Sequence, residues 1–318
     1  MQPERNRTNG GEGTVLEKGR TLLIANPAAR SGDGAKATAV AVRQLKAALP
    51  AGTFDAVRTM QPRHAEKLAS EADGFATVLV LGGDGIIHEA ANGLMRIPSK
   101  DRPALGIIPV GSGNDYARTL GMAGIPEDAC RQLLSACPQA LDLGCANGEY
   151  FTETLSFGVD AAIALDTMER RQRAGKSSPL LYVQSGVDQL TRHLKALPYS
   201  ASFDGEQTEG QSITFAVQIG PTYGGGFRIC PDARPDNGLF DICIAHPPAG
   251  VMRALHVFFR AKNGTHTEFK QIELRQAAHI RLTFDEVPPC QADGERMEAR
   301  TFSIDICPHA LNVLAPKR

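Results

Sequence analysis

Leu79–Leu94 reads LVLGGDGIIHEAANGL, and the order of its residue types decides the fold. An apolar run ends at Leu81, the four residues Gly82–Gly85 form a glycine-rich turn, and Ile86–Leu94 then places apolar side chains on one helical face. A strand, a glycine turn and a helix in this order form a phosphate-binding geometry, because glycine lets the backbone approach closely and the helix N-terminus offers unpaired N–H groups. The stretch therefore predicts an α/β unit with a phosphate-binding turn.

Asp84 is the unusual member of this turn. A carboxylate beside a phosphate is repulsive unless a cation lies between them, so Asp84 indicates Mg²⁺. A plain strand-to-helix turn with an exposed aspartate explains the same residues. The turn alone does not decide between these two interpretations.

Two further stretches repeat the pattern. Thr21–Gly34, TLLIANPAARSGDG, and Leu105–Leu120, LGIIPVGSGNDYARTL, each run from an apolar strand through a loop of small and polar residues into a helix. In an open α/β sheet, ligands bind outside the carboxyl ends of the strands. Three such loops in one domain therefore predict one binding site.

The chain changes character at about its middle. Strands and helices alternate through residues 21–141, which predicts a parallel sheet with helices on both faces. Over 142–318 strand-like runs dominate, and Asp-Gly and Asn-Gly turns between them are typical of hairpins. We expect an α/β domain over 21–141 and a β-rich domain over 142–318, preceded by a polar, disordered tail over 1–20.

Composition excludes several classes of protein. The net charge of −1 over 318 residues gives no overall electrostatic field that would recruit nucleic acid or an anionic membrane. No run of about 18 apolar residues indicates a membrane-spanning helix, and the polar N-terminus is unlike a signal peptide. The seven cysteines are scattered without a CxxC pair, which is typical of free thiols in a reducing compartment. These features predict a cytoplasmic protein.

Six motifs in a fixed order carry a family resemblance: NPAARSG, GGDGIIHE, PVGSGNDYAR, LDLG (141–144), PDNGLFD (235–241) and ADGE (292–295). The set resembles the diacylglycerol-kinase catalytic family, and within it the bacterial lipid kinases related to sphingosine and ceramide kinases. The resemblance implies an N-terminal nucleotide-binding domain of the phosphofructokinase and NAD-kinase type and a C-terminal β-sandwich that holds a lipid substrate. It also implies an active site in the cleft between them, ATP and Mg²⁺ as cofactors, and a last strand that returns to the first domain.

The same resemblance implies which residues meet the nucleotide. They belong to the Asn-Pro loop, the end of the second strand, the GGDG turn with the start of its helix, and the second glycine loop. These residues are Asn26, Pro27, Ala28, Ala29, Arg30, Thr59, Gly82, Gly83, Asp84, Gly85, Ile86, Ile87, His88, Glu89 and Ser112.

Four of these positions carry a second interpretation. Ile86 replaces the threonine usual in the family, so a hydroxyl contact is lost, and Arg30 either binds phosphate or is a solvated loop residue. Glu89, on the first helical turn, either favours the helix dipole or meets the nucleotide. His88 is expected at the rim of the cleft rather than in the chemistry.

The resemblance also implies catalytic residues and metal ligands. Asp84, Asp115 and Asp142 match an acidic cluster around Mg²⁺, although Asp115 alone also fits a helix cap. Glu295 of the ADGE motif matches the base that takes the proton of the acceptor hydroxyl, while Asp84 organises charge at the phosphoryl group. An exposed glutamate on a β-turn explains Glu295 as well, since Asp-Gly-Glu also occurs at 204–206.

The loop RPDNGL matches a structural Mg²⁺ loop of the family. Its ligands are two backbone carbonyls, matched here by Arg234 and Leu239, and one aspartate before the glycine, matched by Asn237. An asparagine can bind the ion through its carbonyl oxygen but removes one charge. We therefore expect weak Mg²⁺ binding at this loop, or none.

A lipid acceptor implies contact with a membrane. The best basic stretch is MERRQRAGK, Met168–Lys176, which would support transient peripheral contact at the inner membrane surface. A solvated helix end explains the same stretch. The acceptor lipid is not named by the sequence, and a homodimer is left open.

Three functions fit these motifs. The first is an ATP-dependent lipid kinase that transfers the γ-phosphoryl group of ATP to a lipid hydroxyl with Mg²⁺. An NAD-kinase-like enzyme shares GGDG and the two-domain plan, but the GSGND loop and the C-terminal DGE favour the lipid kinase. A non-catalytic nucleotide-binding regulator would explain Ile86 and Asn237.

Overall fold

A computed structural model of the protein describes Leu16 and residues 18–174, 179–247 and 250–316, so most of the predicted N-terminal tail lies outside the described residues. The helices are α1 (Asp33–Ala48), α2 (His64–Ser70), α3 (Asp84–Leu94), α4 (Asp115–Thr119), α5 (Pro126–Ser135), α6 (Val159–Ala174), α7 (Pro179–Arg192) and α8 (Val251–Ala261). Two short 3₁₀ turns lie at Ala29–Gly32 and Thr265–Glu268.

The strands of the N-terminal half are β1 (Thr21–Ala25), β2 (Phe54–Arg58), β3 (Thr77–Gly82), β4 (Ala104–Pro109), β5 (Cys137–Ala146), β6 (Glu149–Phe151) and β7 (Thr154–Gly158). Those of the C-terminal half are β8 (Leu197–Phe203), β9 (Glu206–Ser212), β10 (Thr214–Gln218), β11 (Thr222–Tyr223), β12 (Phe227–Arg228), β13 (Phe240–Ala245), β14 (Ile272–Ala277), β15 (His279–Phe284), β16 (Cys290–Ala292), β17 (Glu295–Arg296) and β18 (Thr301–Ala315).

The first unit is built on four parallel strands in the order β2-β1-β3-β4. Every residue of β1, β3 and β4 is buried, because helices cover both faces of the sheet. A parallel strand covered on both faces needs apolar side chains at nearly every position, which explains the continuous apolar runs in the sequence. The carboxyl ends of these strands carry the three loops identified above.

The last strand joins the two units. Val313 of β18 pairs in parallel with Leu105 of β4, while the other end of β18 pairs with β15 in antiparallel fashion. The neighbouring strand β5 follows β18 along both halves, with an irregularity between Cys307 and Leu311. β5 also runs through the position where the sequence predicts a domain boundary, and the division of the chain at 141 stays a prediction.

The second unit is a β-sandwich. Six strands form an antiparallel sheet in the order β14-β13-β10-β7-β16-β17, and its inner face packs on β8, β15 and β18. Aromatic rings fill the space between the sheets, and Phe157 touches Phe215, Phe284 and Phe302. Helices α6, α7 and α8 cover the outer face of the second sheet. The predicted fold, an α/β domain followed by a β-sandwich, is confirmed.

One predicted strand is divided in two. The sequence favours a single strand over 150–157, but Thr152 and Glu153 separate β6 from β7. The backbone N–H groups of Thr152, Glu153 and Thr154 donate to the carboxylate of Asp293 instead of to a neighbouring strand. A buried acceptor more than a hundred residues away therefore decides this interruption.

The basic stretch on α6 is largely neutralised. Arg170 pairs with Asp166 and Asp188 at 2.7 and 2.5 Å, and Arg173 pairs with Glu169 at 2.8 Å. The last two residues of the stretch, 175 and 176, lie outside the described residues. Among the residues that are described, no helix is long and apolar enough to cross a membrane.

Phe157 provides a test of the sandwich core. We expect Phe157→Ala to lower the free energy of unfolding by about 3–5 kcal/mol, because it removes a fully buried ring and leaves a cavity among three others. Urea denaturation measures the change. Phe259→Ala, at a position 53% exposed, is the control and should shift stability by about 0.5 kcal/mol or less; equal losses in the two variants would contradict this account of the core.

Candidate active site

A cleft of about 510 Å³ separates the two units. The first unit lines it with the three loops at the carboxyl ends of β1, β3 and β4. The second unit lines it with the β6–β7 junction, helix α6, the loop after β11 and the β16–β17 turn. The site predicted at the ends of the parallel strands thus faces a wall from the second unit.

The two glycine loops of the first unit touch each other. A Cβ atom on Gly111 would lie 2.5 Å from the Cα of Gly83, which no real side chain permits. Glycine is therefore required at position 111 for the close approach of the two backbones, and a Cβ atom on Gly83 would also be tight, 3.1 Å from the Cα of Gly111. Their contact brings the N-terminus of α3 and the N-terminus of α4 to the same end of the cleft.

Asp84 organises the second loop. Its carboxylate accepts the backbone N–H groups of Asn114 at 2.8 Å and Asp115 at 2.9 Å, which satisfies donors at the start of α4. Burial raises the pKa of Asp84 to about 7, and the nearby charges of Asp115 and Asp293 add to the effect. Asp84 is thus a half-buried carboxylate that other acidic groups surround, rather than the exposed aspartate of a plain turn.

Asp115 links the two units. Its carboxylate accepts the N–H groups of Gly225 at 2.9 Å and Gly226 at 2.8 Å, and Arg118 donates to it at 2.6 Å. Arg118 thereby offsets part of the negative charge of Asp115. The glycine run Gly224–Gly226 was not singled out in the sequence, although three consecutive glycines signal a close backbone approach.

Asp142 lies apart from this pair. Its carboxylate accepts the N–H groups of Gly238 at 2.7 Å and His309 at 2.8 Å, outside the residues that line the cleft. In the same loop, the side-chain oxygen of Asn237 accepts the N–H of Leu239 at 3.1 Å. Hydrogen bonds of Asp142 and Asn237 thus close the 234–239 loop, and Mg²⁺ binding there stays a prediction.

Glu89 and Thr59 have structural partners. The carboxylate of Glu89 accepts the N–H groups of Arg63 at 2.8 Å and Ala65 at 3.0 Å, so it caps α2. Thr59 directs its hydroxyl to the carbonyl of Ala25 at 3.5 Å, a marginal contact. Neither side chain lines the cleft, and their contacts with a nucleotide stay predictions.

The other predicted residues divide between the cleft and its surroundings. The cleft is lined by Asn26, Ala28, Ala29, Arg30, Gly83, Asp84, Gly85, Ile86, Ser112, Asp115 and Glu295. Outside this lining lie Pro27, Gly82, Ile87, His88, Arg234, Asn237 and Leu239. Ile86 is almost fully buried, so it packs within the turn as well as facing the cleft.

Asp293 anchors the ADGE turn. Its buried carboxylate accepts N–H groups from Thr152 at 2.7 Å and from Glu153 and Thr154 at 3.0 Å, and it lies 3.3 Å from Nδ1 of His88. Burial alone would raise the pKa of this carboxyl, but the contacts with His88 and the backbone donors outweigh burial and lower it.

His88 is held between two carboxylates. Its Nε2 lies 3.0 Å from Glu149, while Nδ1 faces Asp293. Burial lowers the pKa of His88, but the hydrogen bonds and charges of Asp293 and Glu149 outweigh it and raise the pKa to about 9. The imidazole is therefore cationic at neutral pH and ties α3 to the second unit. His88 was expected at the rim of the cleft, but the structure buries it in a bridge between the two units.

Glu295 follows directly on the anchored turn. Asp293 and Gly294 both have positive φ, as in a tight hairpin turn, and Ala292 pairs with Glu295. A Cβ atom on Gly85 would lie 3.2 Å from Oε1 of Glu295, so this exposed carboxylate reaches the phosphate-binding turn across the cleft. The similar triplet at 204–206 lies elsewhere, where Glu206 pairs with Arg275 at 3.2 Å.

Glu153 and helix α6 are parts of the cleft that sequence reasoning missed. Glu153 is buried, accepts a hydrogen bond from Thr119 at 2.7 Å, and has a raised pKa because of burial. Arg171 of α6 also lines the cleft, and burial lowers its pKa. Their positions depend on the packing of the second unit, and no local motif marks them.

One wall of the cleft thus consists of glycine loops at helix N-termini, and the exposed carboxylate of Glu295 faces them from the second unit. Two family descriptions match the chain. The description "Diacylglycerol kinase catalytic domain" matches residues 20–146, and "YegS C-terminal NAD kinase beta sandwich-like domain" matches residues 153–315.

Named relatives agree with this assignment. A protein of Chromohalobacter salexigens named "Probable lipid kinase YegS-like" is 31% identical, over 84% of this chain and 86% of its own. One of the same name from Pseudomonas aeruginosa is 29% identical, over 95% of this chain and 96% of its own. A "Diacylglycerol kinase" of Bacillus subtilis is 29% identical, over 73% of this chain and 75% of its own.

A solved structure has the same fold. The crystal structure of a diacylglycerol kinase from Bacillus anthracis str. Sterne superimposes with a TM-score of 0.76 at 24% identity, covering 93% of this chain and 96% of that one. The chain belongs to the diacylglycerol-kinase catalytic family, in its YegS-like branch of lipid kinases. The resemblance inferred from the six motifs is thereby confirmed.

The bridge at His88 predicts a pH dependence of stability. A group whose pKa rises from 6.5 to about 9 on folding stabilises the protein fully below pH 6.5, and the stabilisation is lost as the pH rises through about 9. We expect the free energy of unfolding of His88→Asn to lack this loss between pH 6.5 and about 9. The stabilities of wild type and variant should therefore become similar at alkaline pH. Urea denaturation across this range measures it. His193→Asn, at an exposed position, should keep the wild-type slope; a constant difference between wild type and His88→Asn would contradict the prediction.

Proposed function

We propose that this protein is an ATP-dependent lipid kinase that transfers the γ-phosphoryl group of ATP to a lipid hydroxyl with Mg²⁺. The observation that carries the proposal is the position of Glu295, whose carboxylate reaches the glycine turn at Gly85 from the opposite wall of the cleft. Phosphoryl transfer to an alcohol needs a carboxylate at the hydroxyl and a pocket that aligns the phosphates.

The phosphates of ATP would lie on the first unit. The N-terminus of α3, the second glycine loop around Ser112 and the loop around Asn26 present backbone donors and small side chains to the cleft. Asn26 already accepts the N–H of Ala28 at 2.9 Å, which holds the first loop in a compact turn. Arg30 lines the same end of the cleft and supplies a positive charge there.

The acidic residues fit Mg²⁺ that arrives with the nucleotide. Among the described residues, no three His, Cys, Asp or Glu side chains form a ready-made metal site. Mg²⁺ in kinases is commonly bound by one or two carboxylates together with phosphate oxygens and water, so Asp84 and Asp115 suffice. Burial and, secondly, the charges of Asp115 and Asp293 raise the pKa of Asp84, and a cation at this place would favour its charged form. The ion would neutralise negative charge on the phosphates.

In the reaction, Glu295 would take the proton of the acceptor hydroxyl while the acceptor oxygen bonds to the γ-phosphorus. As this bond forms, the bond between the γ-phosphorus and the oxygen that bridges it to the β-phosphorus breaks. ADP leaves and keeps the bridging oxygen with its negative charge. Asp293 and His88 would hold the turn that carries Glu295 at its distance from Gly85.

The apolar part of the acceptor would lie in the second unit. A cavity of about 90 Å³ between α6, α8 and the outer face of the second sheet is lined mainly by apolar side chains. Tyr223 lines both this cavity and the cleft, and its hydroxyl donates to Asp160 at 2.8 Å. The two spaces therefore share a wall, and the cavity would have to widen to take a complete acyl chain.

Asp84 tests the role of the acidic pair. We expect Asp84→Asn to lower kcat by about 10²-fold or more. A neutral amide binds Mg²⁺ more weakly than a carboxylate does, and the phosphates then lose the cation that neutralises them. Kinase assays with lipid micelles and saturating Mg²⁺-ATP measure it. Thermal unfolding reports the accompanying loss of the N–H contacts at α4, and Asp101→Asn at an exposed position is the control. A folded Asp84→Asn variant with the wild-type kcat would rule the role out.

Glu295 tests the base. Glu295→Gln should cut lipid phosphorylation by roughly 10²–10⁴-fold and keep ATP binding, since the glutamine fills the same space without basicity. Glu206→Gln, in the other Asp-Gly-Glu triplet, should have no effect. Both are measured with one lipid acceptor and by ATP titration. If Glu206→Gln is the inactive variant the base lies on the other turn, and full activity in Glu295→Gln would show that no base is needed. If the wild type binds ATP but phosphorylates no lipid, the protein is instead a non-catalytic nucleotide-binding regulator.

A further inference from the structure

We propose that the outer face of α8 is a docking surface for an anionic lipid bilayer. This docking face consists of Met252 and Phe259 with Arg253 and Arg260 beside them. The proposed function explains why the protein would bind a bilayer, since a lipid kinase must reach its acceptor, and the inference rests on it in this respect. Binding to the bilayer can be measured without any kinase activity.

The exposed apolar residues of α8 lie on one line. Met252 and Phe259 are seven residues apart and therefore occupy the same helical face two turns apart, whereas Leu255 between them is partly buried and packs against the core under the helix. Met252 is 80% exposed and Phe259 is 53% exposed. Moving a large apolar side chain out of water lowers the free energy. Two such side chains on one helical face therefore favour insertion into an apolar layer.

The charge beside this line selects an anionic surface. Residues 251–270 contain four basic residues and one acidic residue, Glu268, although the whole chain has a net charge of −1. The ammonium group of Lys262 donates to the carbonyl of Gly225 at 3.0 Å, so Arg253 and Arg260 supply the positive charge beside the apolar line. Glu268 pairs with Arg260 at 2.8 Å on the exposed surface, where such a pair contributes little. A basic amphipathic helix is typical of surfaces that bind anionic membranes.

The inner face of the same helix explains why the bilayer is the occupant. Ala254, Val257, Phe258 and Ala261 line the apolar cavity assigned above to the acceptor. A bilayer that covers the outer face of α8 would therefore lie beside the space into which an acyl chain would move. The basic stretch on α6 lacks such an apolar line, because none of its described residues, 168–174, is an exposed large apolar side chain.

The test compares two double variants of the full chain. Met252→Ser with Phe259→Ser removes the apolar line, and Ile125→Ser with Val287→Ser removes two apolar side chains of similar exposure, 58% and 59%, away from α8. Co-sedimentation uses vesicles of phosphatidylglycerol mixed with phosphatidylcholine and vesicles of phosphatidylcholine alone. We expect wild type and control to bind the mixed vesicles in a salt-sensitive manner, and the α8 variant to bind about 10–100-fold more weakly.

Activity and oligomeric state separate the remaining outcomes. With a vesicle-embedded acceptor, the α8 variant should lose activity in step with binding, whereas a short-chain diacylglycerol dissolved as monomers should be phosphorylated at the wild-type rate. If the wild type phosphorylates neither, the proposed function fails while the binding result still stands. Equal vesicle binding by the two double variants would overturn the docking face. If the wild type is a dimer, and the α8 substitutions convert it to a monomer without changing vesicle binding, the docking face binds a second copy of the chain. That result would also overturn the proposal of a bilayer.

Discussion

The carboxylate of Asp293 holds together three parts of the chain that are far apart in sequence. It accepts the N–H groups of Thr152, Glu153 and Thr154, and it faces the cationic imidazole of His88 on α3. A buried carboxylate is costly unless its charge is compensated and its oxygens are hydrogen-bonded, and here both conditions are met. The β6–β7 junction, the helix after the glycine turn and the ADGE turn therefore keep fixed positions, and with them the distance between Glu295 and Gly85.

The cleft collects more acidic groups than basic ones. Asp84, Asp115 and Glu153 lie within it, and burial or mutual repulsion raises the pKa values of Asp84 and Glu153. A site that is to hold a polyanion needs positive charge, which backbone donors at helix N-termini supply only in part. The surplus of carboxylates is therefore consistent with a cation that enters together with its nucleotide.

The second unit lines the cleft and the apolar cavity with different parts of one sheet. Its edge turns and the β6–β7 junction face the cleft, while its outer face lies under α6, α7 and α8 and forms the apolar cavity. Tyr223 and Asp160 stand between the two spaces. An acceptor with a polar head and an apolar chain would fit this division, with the hydroxyl in the cleft and the chain under α8.

The local sequence determined the elements and the three loops, because strand and helix periods and glycine turns are encoded over a few residues. It also marked Asp84, Ser112 and Glu295, which the fold brings to one cleft. Only the tertiary structure decided that Glu89 caps α2, that Asp142 closes the 234–239 loop and that His88 meets Asp293. His88 and Asp293 are 205 residues apart, and a contact at such separation depends on how two units pack rather than on any local pattern.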